Sequence, residues 1–327
     1  MLTLFRFLSR CPLWILHSMG WLVGWVSYLF SASYRRRFNA NVAQAGAPSA
    51  MSRSAIAQAG CMLMELPYLW MRPAGRDGQL RLLWEGQELI VAAHALGKGV
   101  VLMTPHMGCF EVTAQGYAQR FAQTLAPITV LYRPARKAWL RPLVDTSRER
   151  PGLSAVPANL SGVRLMIRAL RRGETVGLLP DQVPPDGMGV WAPFFGKPAY
   201  TMTLAARLVQ QTGAVPLLIW GERLAWGRGY TIRVSAFTES IPPSSATSEE
   251  AAAVVNRAME RLIRQCPQQY LWSYDRYKGA PDLPTQAATQ EATQEATQAA
   301  TQAAAQVAAQ AATQAAAQAA ADAADRG

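Results

Sequence analysis

The sequence predicts a layered α/β/α domain with a largely parallel or mixed sheet, preceded by an apolar N-terminal helix. Three observations carry that reading. Short apolar runs of strand length recur after residue 99 and alternate with amphipathic helical stretches, the pattern of a sheet covered by helices. Residues 13–30 contain no Asp, Glu, Lys or Arg. The last forty or so residues, about one eighth of the chain, are a Gln/Ala/Thr repeat with almost no large apolar side chains.

The apolar run LWILHSMGWLVGWVSYLF would span about 27 Å as a helix, just enough for a hydrocarbon core. Trp14, Trp21, Trp25 and Tyr28 are the aromatics that settle at membrane interfaces, and Arg35, Arg36 and Arg37 follow, which places that end in the cytoplasm. Arg6 and Arg10 flank the other end and weaken the orientation. A single span and a helix lying in the membrane surface both fit, and a buried core helix is the third option. Residues 1–37 are therefore read as a membrane anchor.

Residues 38–284 are read as the main domain. A helical run from Ser52 or Ser54 carries Ile56, Met62, Leu63, Leu66, Leu69 and Trp70 and stops near Pro73; a second, Leu80 to Leu96, stops at Gly97-Lys98-Gly99. The strand candidates are Val100–Met103, Ile128–Tyr132, Thr175–Leu179, Val215–Trp220 and Tyr230–Val234, the first four apolar enough to be buried on both faces. Helices are expected over Leu160–Arg172 with Asn159 as cap, over Thr201–Thr212, and over Ser248–Cys266 with Glu249 and Glu250 near its N-terminus. In the tail, residues 285–327, Gln recurs every fourth position; such a repeat buries too little apolar surface to build a core and is expected to be disordered or transiently helical.

Composition narrows the function. Half the residues are apolar and 16% are charged, with 32 Lys plus Arg against 21 Asp plus Glu, and only four of the basic residues are lysine. Arginine's planar fork suits phosphate and carboxylate, so an anionic substrate or anionic membrane surface is expected; codon bias toward arginine is the rival explanation. No basic block, zinc-ligand pattern or RNA-binding motif points to nucleic acid. Cys11, Cys61, Cys109 and Cys266 are scattered, and read as reduced thiols on the cytosolic side.

Of the three histidines, His17 lies in the apolar run and His94 in a helical stretch, both read as structural. His106 follows a buried strand candidate in Thr104-Pro105-His106-Met107-Gly108-Cys109-Phe110-Glu111, the strand end where open α/β sheets place their sites. On a regular helix His106 and Glu111 would be about 140° apart, so they meet only if the chain turns between them, as Gly108 permits. Glu111 would then sit in the first turn of a helix and accept a hydrogen bond from one imidazole nitrogen, while the other takes a proton from a hydroxyl. Taken alone, that spacing is weak.

The segments TPHMGCFE, YRP, LLPDQ and FFGKPA occur here in one order, and Tyr270–Lys278 closes the domain with a Trp-containing basic motif. Together they resemble the late acyltransferases of lipid A biosynthesis, the lauroyl and myristoyl transferases, over roughly residues 1–282. The resemblance implies transfer of an acyl chain from an acyl carrier protein thioester to a hydroxyacyl group of an anionic glycolipid, at the cytoplasmic side of the inner membrane. No cofactor or metal is expected. His106 and Glu111 match the family's His-x-x-x-x-acid pair, with Cys109-Phe110 where Asn-Trp is usual. Arg133 would bind phosphate or an oxyanion, Asp181 would position structure or substrate, Lys197 would meet phosphate, and Phe194 and Phe195 would line an acyl or glycolipid groove. Rival readings are an acyltransferase for another glycolipid or a lysophospholipid, and a non-catalytic lipid-binding membrane protein.

Overall fold

The computed structural model describes residues 2–71, 80–132 and 150–280. Arg133 and the repeat of residues 285–327 lie outside the described residues. Met1–Ala280 forms one compact unit.

Five helices come first: α1 (Leu2–Ser9), α2 (Leu13–Phe30), α3 (Ala32–Gln44), α4 (Ser52–Met64) and α5 (Leu66–Trp70). The charge-free run is α2, whose one buried face is Leu13, Leu16, Gly20 and Gly24, while Trp14, Trp21, Leu22, Leu29 and Phe30 are exposed. It is long and apolar enough to cross a membrane. Its buried stripe packs on α4 so closely that a Cβ on Gly24 would stand 2.1 Å from the Ile56 carbonyl oxygen, and one on Gly60 2.5 Å from the Gly24 nitrogen. Neither Ser52 nor Ser54 caps α4; Met51 precedes it without a side-chain hydrogen bond.

Strand β1 (Leu82–Glu85) then leads through α6 (Glu88–Ala95) to β2 (Val100–Met103), α7 (Phe110–Phe121), β3 (Ile128–Tyr132), β4 (Leu153–Pro157), α8 (Leu160–Arg171) and β5 (Thr175–Leu178). The hairpin β6 (Gly189–Phe194) and β7 (Lys197–Met202) is followed by α9 (Leu204–Thr212), β8 (Val215–Arg223), β9 (Tyr230–Ala236) and α10 (Ser248–Gln265). The main sheet has the order β1-β9-β8-β2-β5-β3-β4. Five strands run parallel from β8 to β4; β9 is antiparallel to β8 and carries β1 parallel to itself. The sheet is thus mixed but largely parallel, as the alternation of elements implies.

All five strand candidates and the three later helices are present. Asn159 caps α8 by accepting from the Gly162 N–H at 3.1 Å. Thr247 and Glu250 cap α10 reciprocally, Thr247 Oγ1 accepting from the Glu250 N–H and Glu250 Oε2 from the Thr247 N–H. The expected helix Leu80–Leu96 is wrong in its first half: residues 82–85 alternate in burial and pair with β9 at the sheet edge. An edge strand four residues long offers too short an alternation to oppose a helical period. The same brevity hid β4, and Pro193 and Pro198 disguised the β6–β7 pair.

Candidate active site

Strands β2 and β5 are neighbours in parallel register, Met103 opposite Leu178. Each chain leaves its strand at the same edge, and three residues further on stand His106 and Asp181. Equal offsets from a shared register bring the two side chains together. Asp181 Oδ1 lies 2.7 Å from His106 Nδ1, and its Oδ2 accepts the His106 backbone N–H at 2.9 Å. One carboxylate thus holds both the ring and its backbone.

Burial alone would push the Asp181 carboxyl up; the His106 ring, the His106 N–H and the Arg276 guanidinium outweigh it and hold the group below its ordinary value. Asp181 is therefore an anion that only accepts, so Nδ1 carries a proton, and whenever the ring is neutral its lone pair is at Nε2. Arg276 is itself buried, donating to the Tyr200 carbonyl and Thr201 Oγ1, both at 2.7 Å. The phenol of Tyr270, pushed well up by burial and then by Asp181, stays protonated beside that carboxylate.

The backbone that follows His106 is tied at every step. The His106 carbonyl accepts from Leu271, the Gly108 N–H donates to the Gln269 carbonyl, and the Cys109 N–H donates to the Gly221 carbonyl. Gly108 has φ +58°, and a Cβ there would stand 2.0 Å from the Gly221 oxygen, so only glycine fits. Arg223 Nη2 donates to the Gly108 carbonyl at 2.9 Å. Arg223 also forks onto Glu65, with Nε 2.9 Å from Oε2, and Glu65 accepts from the Tyr230 hydroxyl at 3.1 Å. His17 of α2 stands 3.5 Å from the same carboxylate. Burial would raise Glu65, but Arg223 and His17 outweigh it and keep it ionised.

His106 opens onto a cavity of about 310 Å³ whose walls include Phe110, Glu111, Tyr132, Gln182, Met188 and Met202. The Phe110 ring lies 4.9 Å from the imidazole. Glu111 stands in the first turn of α7, as expected, and shares this cavity with His106. Glu111 was expected to accept a hydrogen bond from one imidazole nitrogen; of the two, Nδ1 is held by Asp181. Spacing along one segment cannot reveal a partner that arrives from the next strand.

Phe194 and Phe195 do not line this cavity among the described residues. They sit in the core, with Phe195 against Trp272 and the Arg276 guanidinium over Phe194. Phe195 and Gly196, at φ +46° and +75°, form the two-residue turn of the β6–β7 hairpin, which requires positive φ at both positions. FFGKPA is therefore a hairpin turn rather than a groove wall. Lys197 opens β7 with its ammonium 5.2 Å from the Tyr277 ring centroid. His94 is structural as expected, its Nε2 within 2.9 Å of both Tyr117 Oη and Thr175 Oγ1. Cys109 is buried and its thiol is pushed well up by burial and by Glu65, opposite to the shift a nucleophile needs. Glu65, Arg223 and Tyr270 were not foreseen; Arg276 and Tyr270 at least lie in the terminal motif, whereas nothing local marks Glu65 or Arg223.

The profile described as "Bacterial lipid A biosynthesis acyltransferase" matches residues 4–279. The chain is 26% identical over 225 residues to the lipid A biosynthesis palmitoleoyltransferase of Escherichia coli (strain K12), covering 68% of this chain and 69% of that protein. It is 28% identical over 227 residues to the lipid A biosynthesis lauroyltransferase of the same organism, covering 68% and 70%. A phosphatidylinositol mannoside acyltransferase of Mycobacterium tuberculosis (strain CDC 1551 / Oshkosh) is 28% identical over 209 residues, covering 62% and 60%. With the profile spanning nearly the whole unit that holds His106 and Asp181, the chain belongs to the bacterial lipid A biosynthesis acyltransferase family and is an acyltransferase.

Proposed function

We propose that the protein transfers a fatty acyl chain from an acyl carrier protein thioester to the hydroxyl of a hydroxyacyl group on a lipid A precursor, with His106 as general base. The observation that carries this reading is the two-point grip of Asp181 on His106, which leaves Nε2 basic beside a largely apolar cavity. Nε2 takes the proton of the acceptor hydroxyl as its oxygen attacks the thioester carbonyl. The tetrahedral oxyanion collapses, the carbon–sulfur bond breaks, and the imidazolium returns the proton to the departing thiolate. Ester and free thiol are the products, and no cofactor or metal takes part in this route.

Asp181 stabilises the imidazolium, and Glu111 on the same cavity supplies a second negative charge. Arg133, just after β3, is the proposed partner for the oxyanion or an acceptor phosphate. The apolar α2 followed by Arg35, Arg36 and Arg37 supports an inner-membrane location with the catalytic unit on the cytoplasmic side. Mass spectrometry of lipid A from cells with and without the protein tests the proposal. A secondary acyl chain should be missing without it, and His106→Ala should not restore that chain. Unaltered lipid A in both would shift the acceptor to another glycolipid, of which the mannosylated phosphatidylinositol named for the mycobacterial relative is the first to try.

A further inference from the structure

His106 and Phe110 border a second cavity, of about 320 Å³, whose described lining does not include Glu111. Among the described residues these two rings are the only ones common to both spaces. The second cavity is walled by Val23, Gly24 and Ser27 of α2 and by Ala59, Gly60 and Leu63 of α4. Its described lining has no charged side chain apart from His106, whose charge depends on protonation. Gly24 and Gly60 meet backbone to backbone with no room for a Cβ, so the helices are pinned at that point and the space is a built feature. Leu63 is 55% exposed at its border, and Leu22, Val26 and Leu29 of α2 are exposed as well.

We infer that this second cavity seats the acyl chain of the acceptor, the part extending beyond the reacting hydroxyl. The inference rests on the proposed function. A hydroxyl carried part-way along a chain can reach Nε2 only if the chain on its far side has somewhere apolar to go. Donor and acceptor each bring a chain, and two apolar spaces of similar size meet at the imidazole. A donor chain delivered on a soluble carrier protein has no need to pass the membrane, whereas the acceptor resides there. The cavity walled by α2, the helix suited to the bilayer, is therefore the acceptor's. Burial of a few methylenes there suffices to set acceptor affinity.

The test uses the full-length wild-type chain in lipid vesicles, acyl carrier protein loaded with laurate, and a lipid A precursor bearing a diazirine near the end of its hydroxyacyl chain. After irradiation, adducts are mapped by peptide mass spectrometry. Labelling of the α2 and α4 peptides around Val23, Ser27, Ala59 and Leu63 is expected. Labelling confined to the other cavity, at Met188, Met202 or Leu204, would overturn the inference. Kinetics of Ala59→Phe on α4, and of Ser27→Leu on α2, give a second reading. The acceptor KM should rise about tenfold, equivalent to about 1.4 kcal/mol, with the donor KM within about twofold. An unchanged acceptor KM, or a rise in the donor KM instead, counts against it. If the wild-type chain transfers nothing to the unlabelled precursor from carrier protein loaded with laurate, myristate or palmitoleate, the proposed function itself has failed; transfer with labels in the wrong cavity sinks only the seat.

Discussion

Asp181 and Glu65 are both sealed from solvent and each holds a nitrogen donor, but what lies beyond that donor differs. The Arg223 side chain is 1% exposed and spends its donors on Glu65, Gln58 and the Gly108 carbonyl. The His106 side chain is 17% exposed and opens onto cavities while Asp181 holds its other edge. A buried charge pair closed on all sides can only hold position, because moving a proton would strand an ion in a low-dielectric interior. A pair with one open nitrogen can exchange a proton with a ligand. The closed pair serves the open one, since Arg223 binds the carbonyl two residues after His106.

The largest expected effect comes from corrupting the open pair. In Asp181→Asn the amide can present N–H to Nδ1 and favour the wrong tautomer, so kcat should fall by about 10²- to 10⁴-fold with the fold intact by circular dichroism. A rate near wild type would remove Asp181 from the mechanism. The same variant tests pH dependence. The folded carboxyl is held below its unfolded value, so its contribution to stability is full above the ordinary Asp range and is lost as pH falls through the lowered folded value. Acid unfolding below about pH 4 should therefore be less steep in Asp181→Asn than in wild type.

Opening the closed pair comes next. Arg223→Met strips the buried Glu65 of its guanidinium and leaves only the Tyr230 hydroxyl and His17 beside it, and should cost about 3–5 kcal/mol in denaturant unfolding. Adding Glu65→Leu should restore most of that stability without restoring kcat, because the Gly108 carbonyl still lacks its donor. Recovery of both together would show that Arg223 supports only the fold. The smallest effect is expected from Cys109→Ala, a buried thiol with no proposed part in transfer. It should cost on the order of 1 kcal/mol and leave kcat within about threefold. Loss of turnover there would make the thiol chemical after all.

His106 was legible because it is one of only three histidines and the one that ends an all-apolar strand segment. Glu111 was legible as the first-turn acid of α7. The partner at Nδ1 was not foreseen because Asp181 lies 75 positions away, and only the pairing of β2 with β5 brings it near. Phe194 and Phe195 were misread because two adjacent aromatics before Gly-Lys-Pro fit a groove wall and a hairpin turn equally well. Positive φ at Phe195, a property of backbone and not of composition, decides between them.

By itself the sequence determined the alternation of strands and helices, the apolar span of α2, and the chemistry available at His106. These depend on local periodicity, charge and residue type, all read within a few turns of chain. The tertiary structure alone decided strand order, and with it which carboxylate grips Nδ1. It also decided that Glu65 and Arg223, 158 positions apart, would meet under the loop that carries His106. Register between neighbouring strands is set by packing of whole faces, so the opening two-point contact between Asp181 and His106 exists only once the sheet has formed.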